Sequence, residues 1–300
     1  MKLSNMDRFS ERQSNHSSGT SPDSSLEIAQ GYRVVICGTA RNVSKHLWKA
    51  VKSLTDAFSD FAEVKIVICE SFSTDKTVDE LLRLQGIFPQ LTFFSDDSTS
   101  ATDDRRTVRI ASARNELIKR VRADFFDFDL VVMVDLDGVN RDLTRKQVLS
   151  VFTFDGWDGV FANQPYRYYD IWALRARGWS EQDCWEEFRT LSESMRASKA
   201  KEIAVTNKMK SISKGSPPIL VESAFGGLGI YKIRAFLDSE YIGHKRDGSE
   251  ICEHVAFHET LTRKGYKLYI VPSLVNLNHR SQRLNALKEL ILRFTGIMRH

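Results

Sequence analysis

From about residue 31 the chain alternates short, largely apolar runs with stretches whose apolar positions recur every three or four residues. The first kind reads as strands buried on both faces, the second as amphipathic helices laid over them. YRVVIC (residues 32 to 37) is the first predicted strand, and Leu47, Val51, Leu54, Phe58 and Phe61 follow at helical spacing. VKIVIC (64 to 69) repeats the unit, after which Ser73, Thr74 and Asp75 offer capping side chains to a helix carrying Val78, Leu81 and Leu82. LTFF (91 to 94) predicts a third, shorter strand, with a helix around Ile110 to Val121 behind it. DLVVMVDLDG (129 to 138) predicts a fourth strand, and it ends in two carboxylates. Strands alternating with helices predict an α/β fold with a mostly parallel central sheet flanked by helices.

Beyond residue 155 the pattern is mixed. Asp158 to Asn163 and Lys267 to Val271 read as strands, residues 226 to 229 as a glycine-rich turn, and residues 180 to 210 as helical and polar. Residues 1 to 30 hold eight serines, from Ser4 to Ser25, and few large apolar groups. Ordering a residue costs about 1 to 2 kcal/mol, which so little burial does not offset, so this stretch is predicted to be a disordered tail. At the other end Leu284, Leu287, Ile291, Phe294 and Met298 form one helical stripe, with Lys288, Arg293 and Arg299 elsewhere on the wheel. Such a helix either packs on the core or rests on an anionic membrane surface.

Charge narrows the classes of partner. The 43 Lys and Arg against 39 Asp and Glu leave +4, with the signs interleaved. No clustered basic footprint marks a nucleic-acid binder. Cys37, Cys69, Cys184 and Cys252 lie too far apart for a zinc motif, and no apolar run approaches the ~20 residues of a membrane span. A reduced, cytoplasmic protein is expected, with the C-terminal helix as the one candidate for peripheral membrane contact.

The pair Asp135 and Asp137 carries the first candidate chemistry. Alternate residues of a strand point the same way, and open α/β sheets bind ligands at the carboxyl ends of their strands. Two hard oxygen ligands there suit Mg²⁺ or Mn²⁺. Turn-capping before Gly138 is the plain alternative.

The order of strand-end motifs over about residues 32 to 280 resembles the GT-A glycosyltransferases, especially those of glycosyltransferase family 2. The motifs are Gly38-Thr39-Ala40-Arg41-Asn42 after the first strand, Glu70 to Thr77 (ESFSTDKT) after the second, Ala113-Arg114-Asn115 on the third helix, then Asp135 and Asp137. Residues 158 to 175 also resemble, more loosely, the fungal capsule-associated α-mannosyltransferases, through Tyr169-Asp170-Ile171-Trp172. The resemblance implies a single GT-A domain over 31 to 300, with a nucleotide-binding half (31 to 150) and an acceptor half (151 to 300). It implies transfer of a sugar from a nucleoside-diphosphate sugar to a saccharide or lipid-linked acceptor.

By the same resemblance Thr39, Ala40, Arg41, Asn42, Glu70, Arg114 and Asp135 would hold the nucleotide. Asp135, Asp137 and a late histidine, His279, would hold the metal, the imidazole favouring Mn²⁺ over Mg²⁺. Tyr169, Asp170, Trp172, Glu222, Gly226 and Gly227 would border the sugar and acceptor. Trp157, Trp179, Trp185, Tyr166 and Tyr168 crowd the same region, where aromatic faces suit a pyranose or serve the core. Glu253 and His254 stand at the family's Glu-Asp position, so either is the candidate base. Two other readings compete: the apolar strand ending Asp-X-Asp-Gly also resembles a haloacid-dehalogenase-type phosphatase, and an inactive sugar-nucleotide-binding module would keep the same motifs.

Overall fold

The structure is a computed structural model, and it describes residues 22 to 96, 98 and 103 to 277. The predicted C-terminal helix and His279 lie outside the described residues. So do residues 1 to 21 of the expected tail. The rest of that stretch, Pro22–Gln30, is helical (α1). Ala29 and Ser25 are buried there, and Tyr32 just beyond stacks on Phe152 at 5.7 Å. A few contacts with the core thus offset the ordering cost that serine-rich composition alone did not.

The regular units follow the predicted order. They are β1 (Arg33–Ala40), α2 (Ser44–Ala57), β2 (Glu63–Glu70), α3 (Thr77–Gln85), β3 (Leu91–Ser95), α4 (Arg106–Asp124) and β4 (Leu130–Asp135). Next come α5 (Arg145–Leu149), β5 (Gly159–Asn163), α6 (Cys184–Ser192), α7 (Ala197–Ala204), β6 (Ile219–Val221), β7 (Leu228–Lys232), α8 (Ile233–Phe236), α9 (Glu253–Arg263) and β8 (Leu268–Val275). One eight-stranded sheet runs β3-β2-β1-β4-β7-β5-β8-β6. The first four strands are mutually parallel, β5 pairs with β8 in parallel, and β7 and β6 run against their neighbours.

Alternation along the strands divides the core in two. Val35, Cys37, Val131 and Met133 face the layer that includes Leu117 and Val121 of α4 and Phe257 of α9. Val34, Ile36, Val132 and Val134 face the layer under Leu47, Val51 and Leu54 of α2. Both faces are covered, which is why these strands read as unbroken apolar runs. All four cysteines are free and buried in this core.

The parallel register has a functional result. Ala40 pairs with Glu70, and Thr39 pairs with Asp135, so the motifs after β1, β2 and β4 meet at one edge of the sheet. The antiparallel β7 is inserted beside β4 and brings the Gly226-Gly227 turn to that edge.

Candidate active site

At this edge opens a cleft of 350 Å³. Thr39, Ala40, Arg41 and Ser71 form one wall, and Arg106, Arg109, Ile110, Ala113 and Arg114 line a second as one stripe of α4. Asp135, Leu136 and Asp137 lie at the end of β4. Asp170, Trp172, Phe225, Cys252, Glu253 and His254 close the remaining side. The volume is within the range of small-ligand pockets.

Charge in the cleft is segregated. Arg114, only 3% exposed, bridges two acids: Nη1 is ion-paired with Glu253 Oε1, and Nη2 donates to Asp135 Oδ1 at 3.1 Å. Its guanidinium also lies 5.1 Å from the Phe225 ring centroid and 5.5 Å from that of Tyr241. The expected nucleotide contact of Arg114 therefore finds this side chain inside the wall, holding the acids together. Burial pushes the Asp135 carboxyl up, Arg114 opposes this, and Asp137, Asp170 and Glu253 add repulsion; the result is about 7. The Asp135 side chain still keeps 36% of its surface exposed, so water moderates that shift. Asp137 is exposed, and its Oδ1 accepts from Val139 N at 3.2 Å.

Glu253 and His254 start α9. Both ring nitrogens of the buried His254 lack a hydrogen-bond partner, its ring stacks on Phe225 at 3.7 Å, and Nε2 is 3.9 Å from Glu253 Oε1. Burial, then the Arg114 charge, lowers its pKa well below the ordinary value, so it is neutral at pH 7. His258, one turn on, differs: Ser223 Oγ lies 2.9 Å from Nδ1 and Tyr231 Oη 2.8 Å from Nε2, which makes it a hydrogen-bonded core residue.

Several residues picked from the sequence hold the loops around the cleft. Asn42 has a left-handed φ of +54°, and its Oδ1 accepts from Thr74 N at 2.7 Å, tying the loop after β1 to the loop after β2. Glu70 is buried and accepts from Ser73 N at 2.6 Å and Ser95 Oγ at 3.2 Å. Asp170 Oδ2 accepts from Gly226 N at 2.9 Å, and burial raises its pKa against that bond. Tyr169 and Glu222 are exposed and not among the cleft-lining residues.

The aromatic concentration divides by environment. Trp172 alone of the four neighbouring tryptophans lines the cleft, with Nε1 donating to Asp183 Oδ2 at 2.9 Å. Trp157 is buried in the sheet layer, Trp179 donates to the Lys208 carbonyl and packs on Tyr168, and Trp185 packs on Phe188. These three support the fold.

Sequence reasoning missed a set of buried carboxamides. Asn140 Nδ2 donates to both the Asp135 and Gly227 carbonyls at 2.8 Å, and its Oδ1 accepts from Asn276 Nδ2 at 3.0 Å. Asn276 and Gln164 both donate to the Gly226 carbonyl, at 2.8 and 3.0 Å. Together they fasten the end of β4 to the glycine turn. That turn needs glycine: φ is +66° and +86°, and a Cβ on Gly227 would meet Val139 Cγ1 at 2.5 Å. Three amides scattered over 136 positions give no local signal.

A mixed α/β sheet with a cleft beyond the carboxyl ends of its parallel strands, and an antiparallel strand set beside β4, is the arrangement that the GT-A resemblance implies. The sequence profile of Glycosyl transferase family 2 matches residues 34–214, more than half the chain, so the chain belongs to that family and is a glycosyltransferase. This sets aside the phosphatase reading. Similar solved structures include a Pyrobaculum calidifontis mannosyltransferase in complex with GDP-Man and Mn²⁺, at 14% identity and TM-score 0.47, covering 98% of this chain and 70% of that one. S. aureus TarS 1-349 with UDP-GlcNAc is 13% identical, with TM-score 0.47, over 79% of this chain and 55% of that one. Mycobacterium tuberculosis glucosyl-3-phosphoglycerate synthase with Mn²⁺ and UDP-Glc is 14% identical, with TM-score 0.42, over 83% and 70%. This chain thus spans just over half the length of the TarS fragment. No curated protein matches the chain. Among the described residues no helix is long and apolar enough to cross a membrane.

Proposed function

We propose that the protein transfers a hexosyl group from a nucleoside-diphosphate sugar to a hydroxyl of a saccharide or lipid-linked acceptor, with a divalent cation held at Asp135 and Asp137. The observation that carries this is the two carboxylates opening into a cleft whose facing walls bear Arg41, Arg106 and Arg109. Among the described residues no three His, Cys, Asp or Glu side chains group closely enough to hold a metal by themselves. The donor set nonetheless fits a hard ion: two carboxylates are what Mg²⁺ or Mn²⁺ takes when substrate phosphates complete the shell. Arg114 engages Asp135 Oδ1, leaving its other oxygen and the exposed Asp137 for the cation. His279 is the further candidate ligand. When bound, the ion would neutralise the charge developing on the departing diphosphate.

The chain's own residues supply the rest. Residues 31 to 150 serve as the nucleotide-binding half, in which Thr39, Ala40 and Arg41 face the donor while Asn42 and Glu70 hold their loops in place. Residues 151 onward serve the acceptor, with Asp170, Trp172 and the Gly226-Gly227 turn bordering the transferred sugar. Glu253 is engaged by Arg114, so His254 is the group that accepts the hydrogen of the attacking hydroxyl. Burial and the Arg114 charge disfavour an imidazolium there, and the Glu253 carboxylate, 3.9 Å from Nε2, is the nearest group that would offset them.

The test is thermal unfolding with UDP or GDP, with and without Mn²⁺. Nucleoside diphosphate plus Mn²⁺ should raise the melting temperature, and Asp137→Asn should abolish the metal-dependent part. Equal stabilisation of both proteins would overturn the metal assignment.

A further inference from the structure

At the carboxylate of Asp183 a helix start, a cleft wall and a buried arginine meet. Its Oδ1 caps α6, accepting from Trp185 N at 2.8 Å and Glu186 N at 3.1 Å. Its Oδ2 accepts from Trp172 Nε1 at 2.9 Å and from Arg175 Nη2 at 3.2 Å. An aspartate just before a helix is ordinarily an N-cap, and one oxygen suffices for that. The second oxygen serves the segment around Trp172.

Asp183 is not among the cleft-lining residues, but Trp172 is. The Asp183 side chain is only 11% exposed, so water competes little for the indole N–H, and the charged acceptor strengthens the bond. Arg175, equally buried, closes the set: its Nη1 donates to the Trp172 carbonyl at 3.0 Å and to the Leu174 carbonyl at 2.8 Å. Backbone bonds tie both flanks of Trp172 to the chain before the glycine turn, through Arg175 N to the Ser223 carbonyl at 2.8 Å and Gly226 N to Asp170 Oδ2. The indole has a single polar atom, Nε1, and it is committed to Asp183. What Trp172 can offer the cleft is therefore ring surface, which suits the apolar C–H face of a sugar and not a hydroxyl.

We propose that Asp183 is a positioning residue, which fixes the Trp172 indole so that its ring packs against the sugar of the donor. This rests on the reading above that Trp172 borders the transferred sugar. A side chain already held in place loses little rotamer freedom on binding, so the Asp183 bond adds affinity for the sugar and none for the nucleoside diphosphate.

The experiment follows the indole N–H signals of ¹⁵N-labelled protein, and the equilibrium binding of UDP, UDP-Glc, GDP and GDP-Man, each with Mn²⁺. The chain has five tryptophans, and the indole signal missing from Trp172→Ala belongs to Trp172. Serine caps a helix about as well as aspartate but is too short to reach the indole too, so in Asp183→Ser that signal should move upfield and exchange faster with water. The variant should bind the sugar nucleotide that wild type prefers about three- to tenfold more weakly, the scale of one aromatic contact, with UDP and GDP unchanged. Added to Trp172→Ala, it should cost no further affinity. If Asp183→Ser does not fold, Asp183→Asn, of the same shape and a weaker acceptor, should show both changes in smaller measure. An unmoved indole signal, an unchanged sugar-nucleotide affinity, or an equal loss for UDP and GDP would overturn the assignment. If Trp172→Ala binds sugar nucleotides as wild type does, the placement of Trp172 at the sugar fails, and the assignment with it.

Discussion

Replacing Arg114 by methionine keeps most of the side chain's volume and removes the one buried cation between Asp135 and Glu253. Glu253, itself buried, then has no compensating charge, and Asp135 loses attraction while Asp137 and Asp170 still repel it. Removing one partner of a buried pair costs about 3 to 5 kcal/mol, because the other is left stranded. With an unfolding entropy of about 2.1 cal/mol/K per residue, that corresponds to a fall of roughly 5 to 8 °C in melting temperature for a chain of this size. The penalty has a pH signature. Without Arg114, which opposes the upward push of burial, the Asp135 carboxyl takes up its proton still more readily in the folded state than in the unfolded one, so the variant loses stability as pH rises and recovers it on acidification. Calorimetry of wild type and variant from pH 8 to pH 5 should show the deficit narrowing. A deficit under 1 °C, or one independent of pH, would refute the view that this guanidinium holds the acidic cluster together.

Asn140→Ala leaves the Asp135 and Gly227 carbonyls without their common donor, which should cost about 1 to 3 kcal/mol in denaturant titration and weaken the Mn²⁺-dependent thermal shift. Gly227→Ala forces a Cβ onto Val139 in left-handed backbone, and the backbone alone should cost about 1 to 2 kcal/mol by the same titration. Trp172→Ala should lower kcat/KM much more than Trp179→Ala, while Trp179→Ala, which loses its contacts with Tyr168 and Lys208, should cost up to about 3 kcal/mol of stability. In the metal-free protein Asp135, with its folded pKa raised to about 7, adds stability at low pH that is lost as pH climbs from about 4 to 7. Melting temperature followed over that window, in wild type and Asp135→Asn, isolates this contribution as the difference in slope.

Much of the nucleotide half was legible from the chain alone. Strands β1 and β4 and the second half of β2 are buried on both faces, so each reads as an apolar run, and the helices between them bury one stripe, so each carried a 3.6-residue period. The acidic pair was visible because it interrupts such a run at its carboxyl end. Helix α9 was not, because Glu253, His254 and His258 lie on its buried face and break the apolar period that would have marked it. Strand β7 was hidden for a different reason: residues 226 to 229, with three glycines, read as a turn, and only antiparallel pairing with β4 makes LGIYK a central strand.

What the sequence by itself determined was local: which segments are strands and helices, which motifs end them, and hence the family. Tertiary structure decided the charges of the site. Residues 114, 135 and 253 are far apart in the chain, and only the fold buries one arginine between two acids. The same separation conceals Asn140, Gln164 and Asn276, since a polar side chain far along the sequence looks like surface until packing encloses it. Buried charge and buried hydrogen bonds are long-range properties, created when water is excluded, and no local pattern records them.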